Sequence, residues 1–175
     1  KKISGRVPKP MVRIGRRVFL NRIINYLRRL GFKRIILGIG YQAKFIRKYY
    51  SEHKATGVEI IFSEENKPLG TGGAVKKAKS LIKSEPFLVL NGDTFSEFNA
   101  DKFIKFFQQK KARLLILLRK AKTSRDYGAI TIDRKSRITN FSEKNVSRRD
   151  NFVNGGVYLF SKSVLSEMPK KSKFS

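Results

Sequence analysis

The chain's 175 residues carry 40 Lys and Arg against 13 Asp and Glu, a formal net charge of +27, with no cysteine and one histidine. That inventory excludes a disulfide framework, a thiolate zinc site and a histidine metal site, so any metal must be held by oxygen. Apolar residues make up 40% of the chain and fall in short blocks, none long enough to cross a bilayer. With no secretory signal read at the start, a single domain over 1–175 in the cytoplasm is expected.

The basic residues interleave with apolar blocks, as in the segments 44–50 and 75–83, which is how solvated helix faces read. Such a charge favours polyanionic partners: nucleic acids, anionic membrane surfaces and phosphorylated small molecules.

In chain order, Phe19, Leu20, Ile23, Ile24, Leu27 and Leu30 form the stripe of an amphipathic helix, which Gly31 stops. A β-branched run over 34–39 follows, apolar on both faces like a central parallel strand. The spacing then predicts a helix over 42–53 with Phe45, Ile46, Tyr49 and Tyr50 inward, and a strand over 58–62. A glycine-rich loop at 70–73 leads into a helix over 74–82. The strand 87–90 ends in Asn91-Gly92-Asp93, and Asn99 caps a helix with Phe103, Ile104 and Phe107 on one face. A strand over 114–118 completes the alternation. It implies βαβ units in a Rossmann-like α/β fold, a mainly parallel sheet with helices on both faces. Period-two alternation at 129–133 and 137–141 around a tight turn adds a small antiparallel hairpin. A last apolar strand over 152–160 is interrupted by Asn154-Gly155-Gly156, with a short helix from about Ser161.

Ligands of open α/β sheets bind at the carboxyl ends of strands. There Asp93 follows its strand directly, beside a glycine that lets a ligand approach the backbone. One carboxylate completed by phosphate oxygens and water is the usual Mg²⁺ arrangement; an Asn-Gly-Asp turn satisfying its own backbone fits the same residues. The segment Lys67-Pro68-Leu69-Gly70-Thr71-Gly72-Gly73 joins a strand to a helix, so its amides can address an anion or acceptor, or simply form a turn. It lacks the Gly-Lys-Ser/Thr ending of a P-loop and the spacing of the dinucleotide fingerprint. Prolines on both sides stiffen Lys9, as a phosphate contact requires and as a surface loop also allows. Tyr127-Gly128, Glu143-Lys144 and Asn154-Gly155-Gly156 each close a predicted strand, and such groups can bind sugar hydroxyls and a phosphate.

Taken in order, Val-Pro-Lys-Pro-Met, Gly-Tyr-Gln, Pro-Leu-Gly-Thr-Gly-Gly-Ala, Leu-Asn-Gly-Asp, Tyr-Gly, Glu-Lys and Asn-Gly-Gly-Val-Tyr-Leu-Phe resemble the sugar-1-phosphate nucleotidyltransferases over nearly the whole chain. Within them, the glycine segment and Val-Leu-Asn-Gly-Asp-Thr-Phe look most like the heptose-1-phosphate and mannose-1-phosphate guanylyltransferases.

The resemblance implies transfer of a nucleotidyl group from a nucleoside triphosphate, GTP favoured, to a sugar 1-phosphate with release of pyrophosphate, for cell-surface glycan precursors. It implies Lys9 at the reacting phosphates and Asp93 on Mg²⁺, these two being the catalytic pair. Pro68, Leu69, Gly70, Thr71, Gly72, Gly73, Asn91 and Gly92 would line the nucleotide, the glycines bordering its base. Tyr127, Gly128, Glu143, Asn154 and Gly155 would bind the sugar, and Lys144 its phosphate. In-line attack on the α-phosphorus needs alignment and charge compensation but no protein nucleophile.

The family also has a first strand with a Gly-x-Gly-Thr-Arg loop, expected before Lys1, and a second metal-binding Asp, expected beyond Ser175. On that reading the chain is cut at both ends, and a polypeptide with these ends would turn over weakly or not at all. Asn145 stands where relatives carry Pro or Gly. Two other classes are set beside this one: a silent sugar-nucleotide-binding domain, and a nucleic-acid-binding protein, which would leave Asp93 and the glycine segment unexplained. The sequence is compatible with a homo-oligomer and does not name the sugar.

Overall fold

A computed structural model describes residues 7–53, 55–120, 129–142, 152–169 and 173–174. By its contacts the chain divides into two compact units, the first comprising Lys1–Phe87 and Ser161–Ser175, the second Leu88–Phe160.

The first unit opens on a 3-10 turn, Lys9–Met11, and a short antiparallel hairpin of β1 (Arg13–Ile14) and β2 (Arg17–Val18), which the sequence pattern did not announce. Its strands of two residues each are too short to show an alternation, and Gly15, at φ +63°, supplies the turn. Helix α1 (Phe19–Arg29) buries Leu20, Ile23, Ile24 and Leu27 of the expected stripe, leaves Phe19 and Leu30 half-buried, and adds Tyr26 to the buried face; Gly31 ends it at φ +90°. Strand β3 (Arg34–Ile39) pairs in parallel with β4 (Glu59–Glu64), Arg34 opposite Glu59 through Ile39 opposite Glu64.

Between them α2 (Ala43–Glu52) turns Ala43, Ile46 and Tyr50 inward. Phe45, expected inward, is exposed, because the buried stripe runs through 43, 46 and 50 and leaves 45 off the face. The core gathers Met11, Val18, Leu20, Ile24, Ile39, Ala43, Ile46 and Tyr50. Each Met, Val, Leu or Ile side chain among them, taken from water, contributes about 1.5–3 kcal/mol. Asn21 stitches the helices together: its Nδ2 donates to Tyr49 Oη (2.6 Å) and its Oδ1 accepts from Tyr50 Oη (2.8 Å). Burial pushes the Tyr50 hydroxyl pKa well above its ordinary range.

Helix α3 begins at Gly70 and runs to Lys77, followed by a 3-10 turn, Ala78–Leu81. The glycine segment is thus the first turn of the helix rather than a loop ahead of it. Helix α5 (Ser163–Glu167) returns the chain to this unit.

The second unit is built on a five-stranded sheet containing β5 (Phe87–Leu90), β6 (Leu114–Lys120), β7 (Ala129–Ile132), β8 (Ile138–Ser142) and β9 (Phe152–Phe160). Strand β9 is the hub, pairing with β5, β6 and β7. Its pairings with β6 and β7, and that of β7 with β8, are antiparallel, so the antiparallel part reaches beyond the expected hairpin. Helix α4 (Ala100–Gln109) starts as read, with Asn99 Oδ1 accepting the Lys102 amide at 2.8 Å. Ile130 and Val157 anchor the interior at 0% and 1% exposure. In the turn between β7 and β8, hydrogen bonds from the Arg137 amide and guanidinium hold the Asp133 carboxyl below its usual range.

All described Lys and Arg except Arg34 and Lys76 are exposed, as solvated faces require. Among the described residues no helix is long and apolar enough to cross a membrane.

Candidate active site

In the first unit, Lys9 is held by its backbone. Pro8 is buried and its carbonyl accepts the Met11 amide (2.8 Å), the Lys9 carbonyl accepts the Val12 amide (3.2 Å), and Met11 is sunk in the core at 4% exposure. The lysine itself is exposed, and among the described residues its ammonium forms no ion pair. A rigid backbone under an uncommitted cation suits a phosphate contact. A groove of about 330 Å³ lies on this segment, lined by Val7, Met11, Val12, Arg13, Val18, Phe45 and Tyr49, and includes none of the predicted site residues.

The glycine segment in the same unit is braced from two directions. The Glu65 amide donates to the Ile39 carbonyl (2.7 Å), and Glu65 Oε2 accepts the Leu69 amide (3.1 Å), closing the stretch that carries Pro68 and Leu69. Gly70 sits at φ +74°, a conformation that a side chain would strain. The Gly73 amide is taken by the Phe174 carbonyl (3.1 Å). That leaves the amides of Gly70, Thr71 and Gly72, which precede the first intrahelical bond, to address a ligand. The expectation of an open helix N-terminus therefore narrows to three amides.

In the second unit, two predicted groups are brought together. The Asn91 amide donates to the Gly156 carbonyl (2.9 Å), so the turn after β5 is bonded to the Asn154-Gly155-Gly156 bulge of β9. The bulge is real in register: Leu118 faces Asn154 while Ile116 faces Tyr158, and Leu117 alone spans three residues of β9. Gly155 is required by close approach, since a Cβ there would lie 2.8 Å from the Leu117 carbonyl oxygen. Gly156 is at φ +72°, and a Cβ on it would come within 3.2 Å of Asn91 Nδ2 and of Thr94.

Three side chains that the sequence did not single out hold this arrangement. Ser96 Oγ donates to the Gly155 carbonyl (2.7 Å), Tyr158 Oη accepts from Asn154 Nδ2 (2.7 Å), and Thr94 Oγ1 donates to Asp93 Oδ1 (3.4 Å). Asn154 Oδ1 also accepts the Gly156 amide (2.9 Å). An Asn side chain so bonded keeps one N–H and one lone pair for a further partner.

Gly92 and Asp93 are exposed, and Asp93 makes no ion pair among the described residues. Those residues contain no group of three or more His, Cys, Asp or Glu able to cage a metal. A lone accessible carboxylate fits Mg²⁺, which keeps several waters and takes phosphate oxygens, and would not suit a dedicated protein cage. Tyr127, Gly128, Glu143 and Lys144 lie outside the described residues.

Comparison with known proteins gives consistent results. The family model described as nucleotidyl transferase matches residues 2–174. The chain is 33% identical over 175 residues to D-glycero-alpha-D-manno-heptose 1-phosphate guanylyltransferase of Campylobacter jejuni, covering 100% of this chain and 76% of that one. It is 35% identical over 173 residues to the enzyme of the same name from Aneurinibacillus thermoaerophilus, covering 99% and 74%. The crystal structure of HddC from Yersinia pseudotuberculosis complexed with GMP-PN superposes with a TM-score of 0.87 at 36% identity, covering 100% of this chain and 76% of that one.

Proposed function

Because the chain belongs to the nucleotidyl transferase family, we propose that it transfers a nucleotidyl group from a nucleoside triphosphate, GTP in preference, to a sugar 1-phosphate. The products are a nucleotide sugar and pyrophosphate, made in the cytoplasm as glycan precursors. Two relatives named as heptose 1-phosphate guanylyltransferases, and a guanine nucleotide bound to a 36% identical structure, support both the reaction and the base. Residues 1–175 act in this reading as one catalytic domain.

The observation that carries the proposal is the Asn91 to Gly156 hydrogen bond. It joins the turn bearing an exposed carboxylate to the bulge bearing a partly committed amide, which supports reading Asp93 and Asn154 as the metal side and the sugar side of one site. Asp93 is the residue to hold Mg²⁺, which when bound would offset charge developing on the phosphates. Lys9 contacts the triphosphate as a point charge on a fixed backbone. Pro68, Leu69, Gly70, Thr71, Gly72 and Gly73 border the nucleotide, with Asn91 and Gly92. Asn154 and Gly155 orient the sugar, and Tyr127, Gly128, Glu143 and Lys144 complete the sugar-phosphate side. The attacking oxygen comes from the sugar phosphate and the leaving group is pyrophosphate, so the protein's contribution is alignment and charge compensation.

Asn154→Ala tests the sugar side. Loss of its hydrogen bond to the sugar, worth about 1–1.5 kcal/mol, is expected to raise the KM for sugar 1-phosphate roughly tenfold. The KM for the triphosphate should hold. A variant in which only the triphosphate KM moved would remove Asn154 from the sugar.

A further inference from the structure

The first turn of α3 is held by a residue just over a hundred positions away in sequence. In a regular helix the amide of residue 73 would donate to the carbonyl of residue 69. Here Phe174 bonds both: its amide donates to the Leu69 carbonyl (2.9 Å) and its carbonyl accepts the Gly73 amide (3.1 Å). Its ring lies against Gly72, where a Cβ would be 2.4 Å from Phe174 Cε2 and 2.6 Å from Cδ2. The same returning segment is tied to α3 a second time, since Lys76 Nζ donates to the Pro169 carbonyl at 2.5 Å.

Three of the first four residues of α3 are glycine, and each costs a helix about 1 kcal/mol relative to alanine because the unfolded chain has more freedom to lose. Left alone, this turn would sample many conformations. A surface that binds by its backbone gains affinity when the backbone is already ordered, because binding then has less conformational entropy to remove. Phe174 supplies that order: two main-chain bonds fix the ends of the turn, and the ring occupies the space that the missing side chain at 72 leaves.

We propose that Phe174 is a positioning residue for the nucleotide, a strap that pre-sets the Gly70, Thr71 and Gly72 amides by bonding across residues 69 and 73. This rests on the reading above that the glycine segment borders the nucleotide. Phe174 is not assigned any contact with the nucleotide; it acts through the turn. By reciprocity, a triphosphate that binds the ordered turn also tightens the strap.

In the full-length protein, Phe174→Ala is expected to raise the KM for the triphosphate about fivefold to tenfold with kcat changed by less than about twofold, the pattern of lost uniform binding. The KM for sugar 1-phosphate should stay put, and Phe174→Leu should recover most of the loss because a bulky apolar group again covers Gly72. An unchanged triphosphate KM in an active Phe174→Ala protein, or a fall confined to kcat, would overturn the strap while leaving the site reading intact.

A second measurement needs no variant. Trypsin cleavage between Lys173 and Phe174, followed by mass spectrometry on the unmodified protein, should slow on the order of tenfold when GTP is saturating, since closed strap and bound nucleotide stabilise one another. A cleavage rate indifferent to GTP, in a protein that turns GTP over, would overturn the proposal. If the unmodified protein bound no triphosphate, the site reading and the strap would fall together.

Discussion

Asp93→Asn is expected to lower sugar-1-phosphate-dependent pyrophosphate release by on the order of a thousandfold, the scale seen when one preorganised charge-compensating group is removed. Asparagine keeps the size and one oxygen but not the charge that a hard cation requires. The fold should be untouched, because Asp93 is exposed and accepts only a long hydrogen bond from Thr94 Oγ1, at 3.4 Å, among the described residues. Surface changes of this kind move stability by no more than about 0.5 kcal/mol. The measurement is initial rate against Mg²⁺ concentration for both proteins, with thermal unfolding as the control for folding. Turnover within a few-fold of the parent across the titration would take the metal role away from Asp93.

Lys9→Met should reduce kcat/KM roughly a hundredfold, since on the proposed reading it removes a cation from the reacting phosphates while keeping the aliphatic stem. Stability should barely change, because the neighbours on either side do the packing: Pro8 and Met11 are buried while Lys9 is exposed. Lys9→Arg should recover little, as a planar fork on a backbone fixed by two prolines presents its donors elsewhere than an ammonium does. Steady-state kinetics with the triphosphate varied will show it. A Lys9→Met protein within about threefold of the parent would place the lysine on an ordinary surface turn.

Patterns that repeat along the chain were legible. The α1 stripe, the apolar run of β3 and the Asn99 cap follow from periodicity and one polar side chain, and the structure places them within a residue or so of the reading. What periodicity does not encode was missed. The hairpin at Arg13–Val18 has strands of two residues, and Phe45 lies just off a face that its neighbours define. The start of α3 at Gly70 was hidden because glycine is a poor helix former, and what compensates is Phe174, distant in sequence.

The candidate site divides the same way. Asn91 and Asp93 could be picked out by their place at a strand end, and Asn154 and Gly155 by a polar interruption that lies within β9 rather than at its end; their meeting in one unit depended on a main-chain bond and a bulge that no motif announces. Ser96, Thr94 and Tyr158, which hold that meeting together, are ordinary residues in the sequence and acquire a role only through the fold.

The central claim is that this chain joins a nucleotide to a sugar phosphate, and a substrate matrix tests it most directly. Pyrophosphate release by the full-length protein, measured with each of the four nucleoside triphosphates against a panel of sugar 1-phosphates, should appear only when both substrates are present, and should be fastest with GTP. No release in any cell of that matrix, or release that proceeds equally well without a sugar phosphate, would contradict the account.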